Sequence, residues 1–211
     1  MSSSQQLDPE LVPGRRSAGS ARPSAARERI LATAGRLFYG TGIRAVGVDR
    51  VIAESQVARM TFFRHFPTKD HLVVAFLESQ ADAGRTELLR VRDEEGPRAV
   101  LAWVADGVRT VPTSEGFRGC EFINTAAEFC DPSHPARRVV DRHRAWIRDR
   151  MSDALAELGH PTPRDTAELL LMLRTGAIVA TSLEGLDDTG ALERTWWSLV
   201  DVPGVDAPPI R

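Results

Sequence analysis

The sequence predicts an all-α protein. Apolar residues recur at helical spacing in one segment after another, strand-type alternation occurs nowhere, and capping or breaking residues punctuate the chain at short intervals. Ile30, Ala34, Leu37 and Phe38 fall at i, i+4, i+7 and i+8, a single apolar stripe. Ser24 stands in front of that stripe as an N-cap, and "YGTG" (39–42) supplies stop glycines behind it. A short helix fits 48–55, with Val48, Val51 and Ile52 on one side, and another fits 59–66. Pro67 ends the latter, because a proline pushes its predecessor out of the α region. Thr68 is the expected N-cap of a long helix that starts at Lys69, carries Asp70 in its first turn and breaks at "EEGP" (94–97). Further helices are expected over 97–111, 119–130, 135–158, 162–184 and 188–200. Residues 1–23 are rich in Ser, Pro, Gly, Gln and Arg and have too little apolar surface to offset ordering entropy, so a disordered tail is expected. Within it Arg15, Arg16 and Arg22 offer a basic arm of the kind that enters a minor groove.

Charge divides the chain unevenly. Residues 1–70 hold 11 Lys and Arg against 6 Asp and Glu, a net of +5, whereas residues 71–211 hold 16 against 23, a net of −7. A basic first third on an acidic remainder points that third at a polyanion. No apolar run approaches the ~18 residues that span a bilayer, and the N-terminus has no secretory h-region, so a cytoplasmic protein is expected. The two cysteines, Cys120 and Cys130, suit a reducing compartment; ten helical residues at ~1.5 Å rise would hold them too far apart for a disulfide.

The stretch "ARMTFFRHFPTKD" (58–70) concentrates three of the eight phenylalanines among basic residues. Three helices over 24–70, the last two joined by a tight turn, match a helix-turn-helix unit with its motif at about 47–66. In that arrangement Val57, Phe62 and Phe66 turn inward. Arg59, Met60, Thr61, Phe63, Arg64 and His65 then fall on the exposed side, where Arg can read guanine edges and Thr a base edge or a thymine methyl. Lys69, the chain's one lysine, stands in the first turn of the following helix, where free N–H groups and the macrodipole already favour phosphate.

The run "GIRAVGVDRVIAESQVARMTFFRHFPTKDHLV" resembles the DNA-binding domain of TetR-type transcriptional regulators, whose pattern is G-V-S-x-x-T-[LF]-Y-x-H-F-x-x-K. The likeness is collinear over residues 24–75. It implies that Arg59, Met60, Thr61, Phe63, Arg64 and His65 meet bases and phosphates, that Lys69 is the phosphate-contacting lysine, and that Val48 lies where the second helix touches the backbone. Three positions depart from the pattern: Gln56 replaces the turn glycine, Ala58 a Ser or Thr that would cap the helix, and Phe63 a Tyr. The resemblance further implies a larger helical domain over 71–211 that binds a small molecule and forms a homodimer.

For that domain the residues themselves must speak. Cys120, Asn124 and Glu128 lie at i, i+4 and i+8, a polar stripe that either lines a pocket or faces solvent. Phe122, Trp103, His143, Trp146 and Met172 are candidate apolar lining. Cys120 beside Arg118 could also sense oxidants or electrophiles, or be an inert core thiol. Cys130, His134 and Glu128 lack paired metal-ligand spacing. Leu169, Leu173, Gly176, Ala177 and Ala180, with the consecutive Trp196 and Trp197, form the candidate dimer interface. No catalytic residue, metal or cofactor is expected. The leading expectation is a ligand-responsive homodimeric repressor on a palindromic double-stranded operator, induced by a small molecule; an all-α thiol-dependent enzyme and a helical ligand carrier without DNA binding are the alternatives.

Overall fold

The computed structural model describes residues 24–109, 119–184 and 190–202. Among them there are nine helices and no strand: α1 (Ala25–Thr41), α2 (Val48–Ser55), α3 (Arg59–His65), α4 (Lys69–Glu95), α5 (Pro97–Arg109), α6 (Glu121–Glu128), α7 (Pro135–Glu157), α8 (Pro163–Glu184) and α9 (Gly190–Val200). The tail of residues 1–23 with its three arginines, and Arg118, lie outside the described residues.

Local chemistry accounts for most boundaries. Ser24 Oγ accepts from the Arg27 amide at the start of α1, and Thr68 Oγ1 accepts from the His71 amide at the start of α4. α1 stops at Gly42, whose φ of 95° suits glycine. The turn between α2 and α3 runs through Gln56 at φ 52° and ψ 44°, the left-handed region that a glycine adopts more readily. Ala58 caps α3 with extended backbone and no side-chain bond, so the cap amides lack the hydroxyl a Ser would bring.

Two apolar cores result. The first gathers Ile30, Leu37 and Phe38 of α1, Val51, Val57, Phe62 and Phe66, and reaches into α4, α6 and α7 through Phe76, Phe122 and Val139. The second holds Leu88, Leu101, Met151, Leu155, Leu170 and Trp196. α4 is 27 residues long, about 40 Å at ~1.5 Å per residue, and together with α7 it contributes to both cores. Cys120 packs against both, at the junction. Trp196 is fully buried in the second core, so it is not an interface residue as expected; helix periodicity turns only Trp197 outward, where Arg98 lies 4.4 Å over its ring and ion-pairs with Asp201 at 2.6 Å.

Candidate functional site

α3 presents its side chains much as its sequence pattern suggests. Phe62 and Phe66 are buried beneath it, and Phe62 meets Phe63 edge to face at 5.3 Å. Met60 is 84% exposed and Phe63 37%, an apolar surface that water disfavours. Arg64 is exposed and Thr61 half-buried. The Arg59 guanidinium lies 5.3 Å over the Phe63 ring and pairs with Asp49 at 2.5 Å, both partners being well exposed.

Three of the expected contact residues have partners within the free protein. His65 does not stand free on this face: it is half-buried, and its Nε2 hydrogen-bonds Ser24 Oγ at 3.0 Å, tying α3 to the α1 cap. Val48 packs its side chain against the first core, leaving only its backbone at the α2 terminus to meet a ligand. Lys69 folds back, and Nζ donates to the Arg44 carbonyl at 3.2 Å. Partial burial lowers the Lys69 pKa, with Glu128 and Asp70 opposing the shift.

The polar stripe on α6 does not line one pocket. Cys120 faces a cavity at the helix start, whereas Glu128, at the other end, accepts from the amides of Ile43 at 2.9 Å and Arg44 at 2.6 Å. These amides belong to the loop between α1 and α2, the same loop that receives Lys69. Gly42 makes room for the clasp: a Cβ there would lie 3.3 Å from Glu128 Oε1. Asn124 lines two other clefts beside Glu128 and not this cavity.

The cavity, about 360 Å³, sits between α4, α5, α6, α7 and α8. Of the expected lining, Trp103, Cys120, Phe122 and His143 are present. Trp146 instead packs against the second core with Arg85 5.3 Å over its ring. Met172 points away and is 55% exposed. His143 stacks on Phe122 at 3.9 Å and 16°. Burial, aided by Arg174, Arg85 and Arg144, pulls its pKa down to about 4, so the ring is neutral at pH 7. Burial likewise pushes the Cys120 thiol up, and Glu121 adds to this. A protonated thiol is a poor nucleophile, which weighs against the thiol-dependent and sensor readings.

Sequence reasoning missed Tyr39, Glu121, Arg144 and Arg174 in this lining. One signal was available: in residues 169–183, "LLLMLRTGAIVATSL", Arg174 is the sole charge. On α8 the exposed Leu169, Met172, Gly176, Val179 and Leu183 share a face, and Leu173, Ala177 and Ala180 are partly covered beside it. Contrary to the expectation from uninterrupted apolar runs, the stretch Pro163–Leu183 is long and apolar enough to cross a membrane by length and composition.

Comparison with known proteins agrees with this architecture. Residues 30–76 match the family described as "Bacterial regulatory proteins, tetR family". A TetR-family transcriptional regulator from Streptomyces coelicolor is 39% identical, with a TM-score of 0.71 over 83% of this chain and 92% of that one. The HTH-type transcriptional repressor NemR of Escherichia coli (strain K12) is 26% identical over 132 residues, 61% of this chain. The matched stretch spans just under two thirds, 66%, of that repressor's length. The E. coli NemR structure in its reduced form shares the fold, with a TM-score of 0.68 at 22% identity over 82% of this chain and 95% of that one. This chain belongs to the TetR family of bacterial regulatory proteins.

Proposed function

We propose that the protein is a cytoplasmic homodimeric repressor that holds a palindromic operator and releases it when a small molecule fills the cavity. The observation that carries this reading is α6. Its N-terminal residues Cys120, Glu121 and Phe122 wall the cavity, and Glu128, at its C-terminal end, clasps the loop that positions α2 and Lys69. A helix that short moves as a rod, so displacement at the cavity end is felt at the loop. The ligand then favours a dimer geometry whose reading helices no longer match successive major grooves, roughly 34–36 Å apart.

On the DNA side, Arg59, Met60, Thr61, Phe63 and Arg64 are assigned to base edges and flanking phosphates. Binding requires Arg59 to exchange Asp49 for DNA, a small loss because exposed ion pairs contribute little. Lys69 has two donors beyond its bond to Arg44, and these are assigned to phosphate. Val48 contributes its backbone N–H at the α2 terminus. We assign residues 24–70 to the DNA-binding domain and 71–211 to ligand binding and dimerisation. The second copy is expected on the outward face of α8, where Leu169, Met172, Val179 and Leu183 are exposed, with Leu173, Gly176, Ala177 and Ala180 allowing close approach and Trp197 at its margin. No catalytic step is assigned.

Selection of bound fragments from random duplexes, followed by a salt titration, tests this reading. A palindromic consensus and a steep fall in affinity with salt are expected. Absence of both would leave a ligand carrier. Sedimentation equilibrium should give a dimer, weakened by Leu183→Glu.

A further inference from the structure

We propose that the cavity takes a small organic anion, a carboxylate or its equivalent on a flat apolar body, with Arg174 as the charge anchor. This ligand class presupposes the cavity as the regulatory site.

Arg174 stands in the middle of an otherwise uncharged helical run and turns inward. Its Nε donates to the Val104 carbonyl at 3.2 Å, and among the described residues its guanidinium makes no ion pair. Buried charges are ordinarily paired, since leaving water uncompensated is costly. Cys120 and Glu121 are near enough to favour the charged form, and among the described residues neither forms an ion pair with it. α5 leaves space for the group: a Cβ on Gly107 would come within 3.3 Å of Arg174 Nη2.

Two further groups share the wall. Arg144 Nη1 donates to Thr175 Oγ1 at 3.2 Å. His143 Nδ1 is buried without a hydrogen-bond partner. Against two guanidinium groups the lining sets one carboxylate, Glu121, so the empty cavity is left with an excess positive charge. A carboxylate bonded across the Arg174 fork supplies the missing partner. Trp103 and the Phe122–His143 stack offer flat walls to an aromatic or otherwise planar body. The volume of about 360 Å³ suits a ligand of one or two rings.

The test uses three probes of one shape and different charge: 2-naphthoate, 2-naphthamide and 2-naphthylmethylammonium. Each is titrated into the full-length chain and followed by tryptophan fluorescence, to which Trp103 reports. The carboxylate should bind roughly tenfold tighter than the amide, and the ammonium weakest of all. Arg174→Gln should reduce the carboxylate preference to near unity, and Arg174→Lys should keep most of it. Equal or tighter binding of the amide or ammonium to the unaltered protein overturns the assignment, and so does failure of all three to bind at millimolar concentration. Retention of the full preference in Arg174→Gln removes Arg174 as the anchor. The wild-type series needs no variant to fold. A protein that selects the carboxylate yet binds no DNA would fail as a regulator while leaving the ligand class intact.

Discussion

The two regions joined by α6 are built under opposite constraints, yet each lacks what its ligand would bring. At α3 the loosely matched groups stand in water: Met60 and Phe63 are apolar and exposed, and Arg59 lies over Phe63 and pairs with the exposed Asp49. In the cavity the unmatched groups are inside, with Arg174 and His143 Nδ1 withdrawn from water without full partners. An exposed surface tolerates provisional pairing at little cost, and an interior does not. The reading head can therefore be altered with small effects on folding, whereas the cavity stores energy that pH or a ligand can release.

The largest expected effect lies beneath the reading head. Phe62→Ala removes a fully buried ring from the first core and should lower stability by about 3–5 kcal/mol in denaturant titration, abolishing DNA binding. A loss under 1 kcal/mol would mean that α3 is not held by that core. Next comes the cavity's response to acid. With a folded-state pKa of about 4 against an ordinary 6.5, His143 binds a proton more readily when unfolded. Its contribution is complete above pH 6.5 and declines as pH falls toward 4, by on the order of 2–3 kcal/mol. His143→Gln should flatten that part of the stability profile; an unchanged slope would assign the acid sensitivity elsewhere.

Within the reading head, Arg59→Ala should relax base preference at one position by ~1–3 kcal/mol, whereas Lys69→Ala should weaken all sequences alike and lower the salt slope by about 1. Equal behaviour of the two variants would erase the distinction between base reading and phosphate anchoring. The smallest effects belong to the turn. Ala58→Ser restores a cap hydroxyl and should stabilise by about 1 kcal/mol, and Gln56→Gly, which relieves the left-handed residue, by ~0.5–1 kcal/mol. Thermal melts of the two variants check both signs.

Helices were legible because their signals are local. The stripe of Ile30, Ala34, Leu37 and Phe38, and the caps at Ser24 and Thr68, depend on neighbours within about two turns of helix. The burial of Phe62 and the exposure of Arg59, Met60, Phe63 and Arg64 followed from the same spacing. What escaped depends on distant partners: His65 meets Ser24 across 41 positions, and Glu128 meets Ile43 across 85. A polar stripe at i, i+4 and i+8 shows that Cys120 and Glu128 share a side of α6, but not that one end faces a cavity and the other a loop. Trp196 and Met172 were misplaced for a similar reason, since helix phase says which residues lie together and not which side is covered. Arg174 was readable as a lone charge in an apolar run; its unpaired state was not.

The claim that α6 transmits cavity occupancy to the reading head rests on the Glu128 clasp. Fluorescence anisotropy of a selected palindromic duplex, with and without 2-naphthoate, in the wild type and in Glu128→Ala, tests it most directly. Naphthoate should weaken duplex binding by the wild type roughly tenfold or more, whereas Glu128→Ala should still bind duplex but lose most of that response. A Glu128→Ala protein that responds as fully as the wild type would contradict that claim.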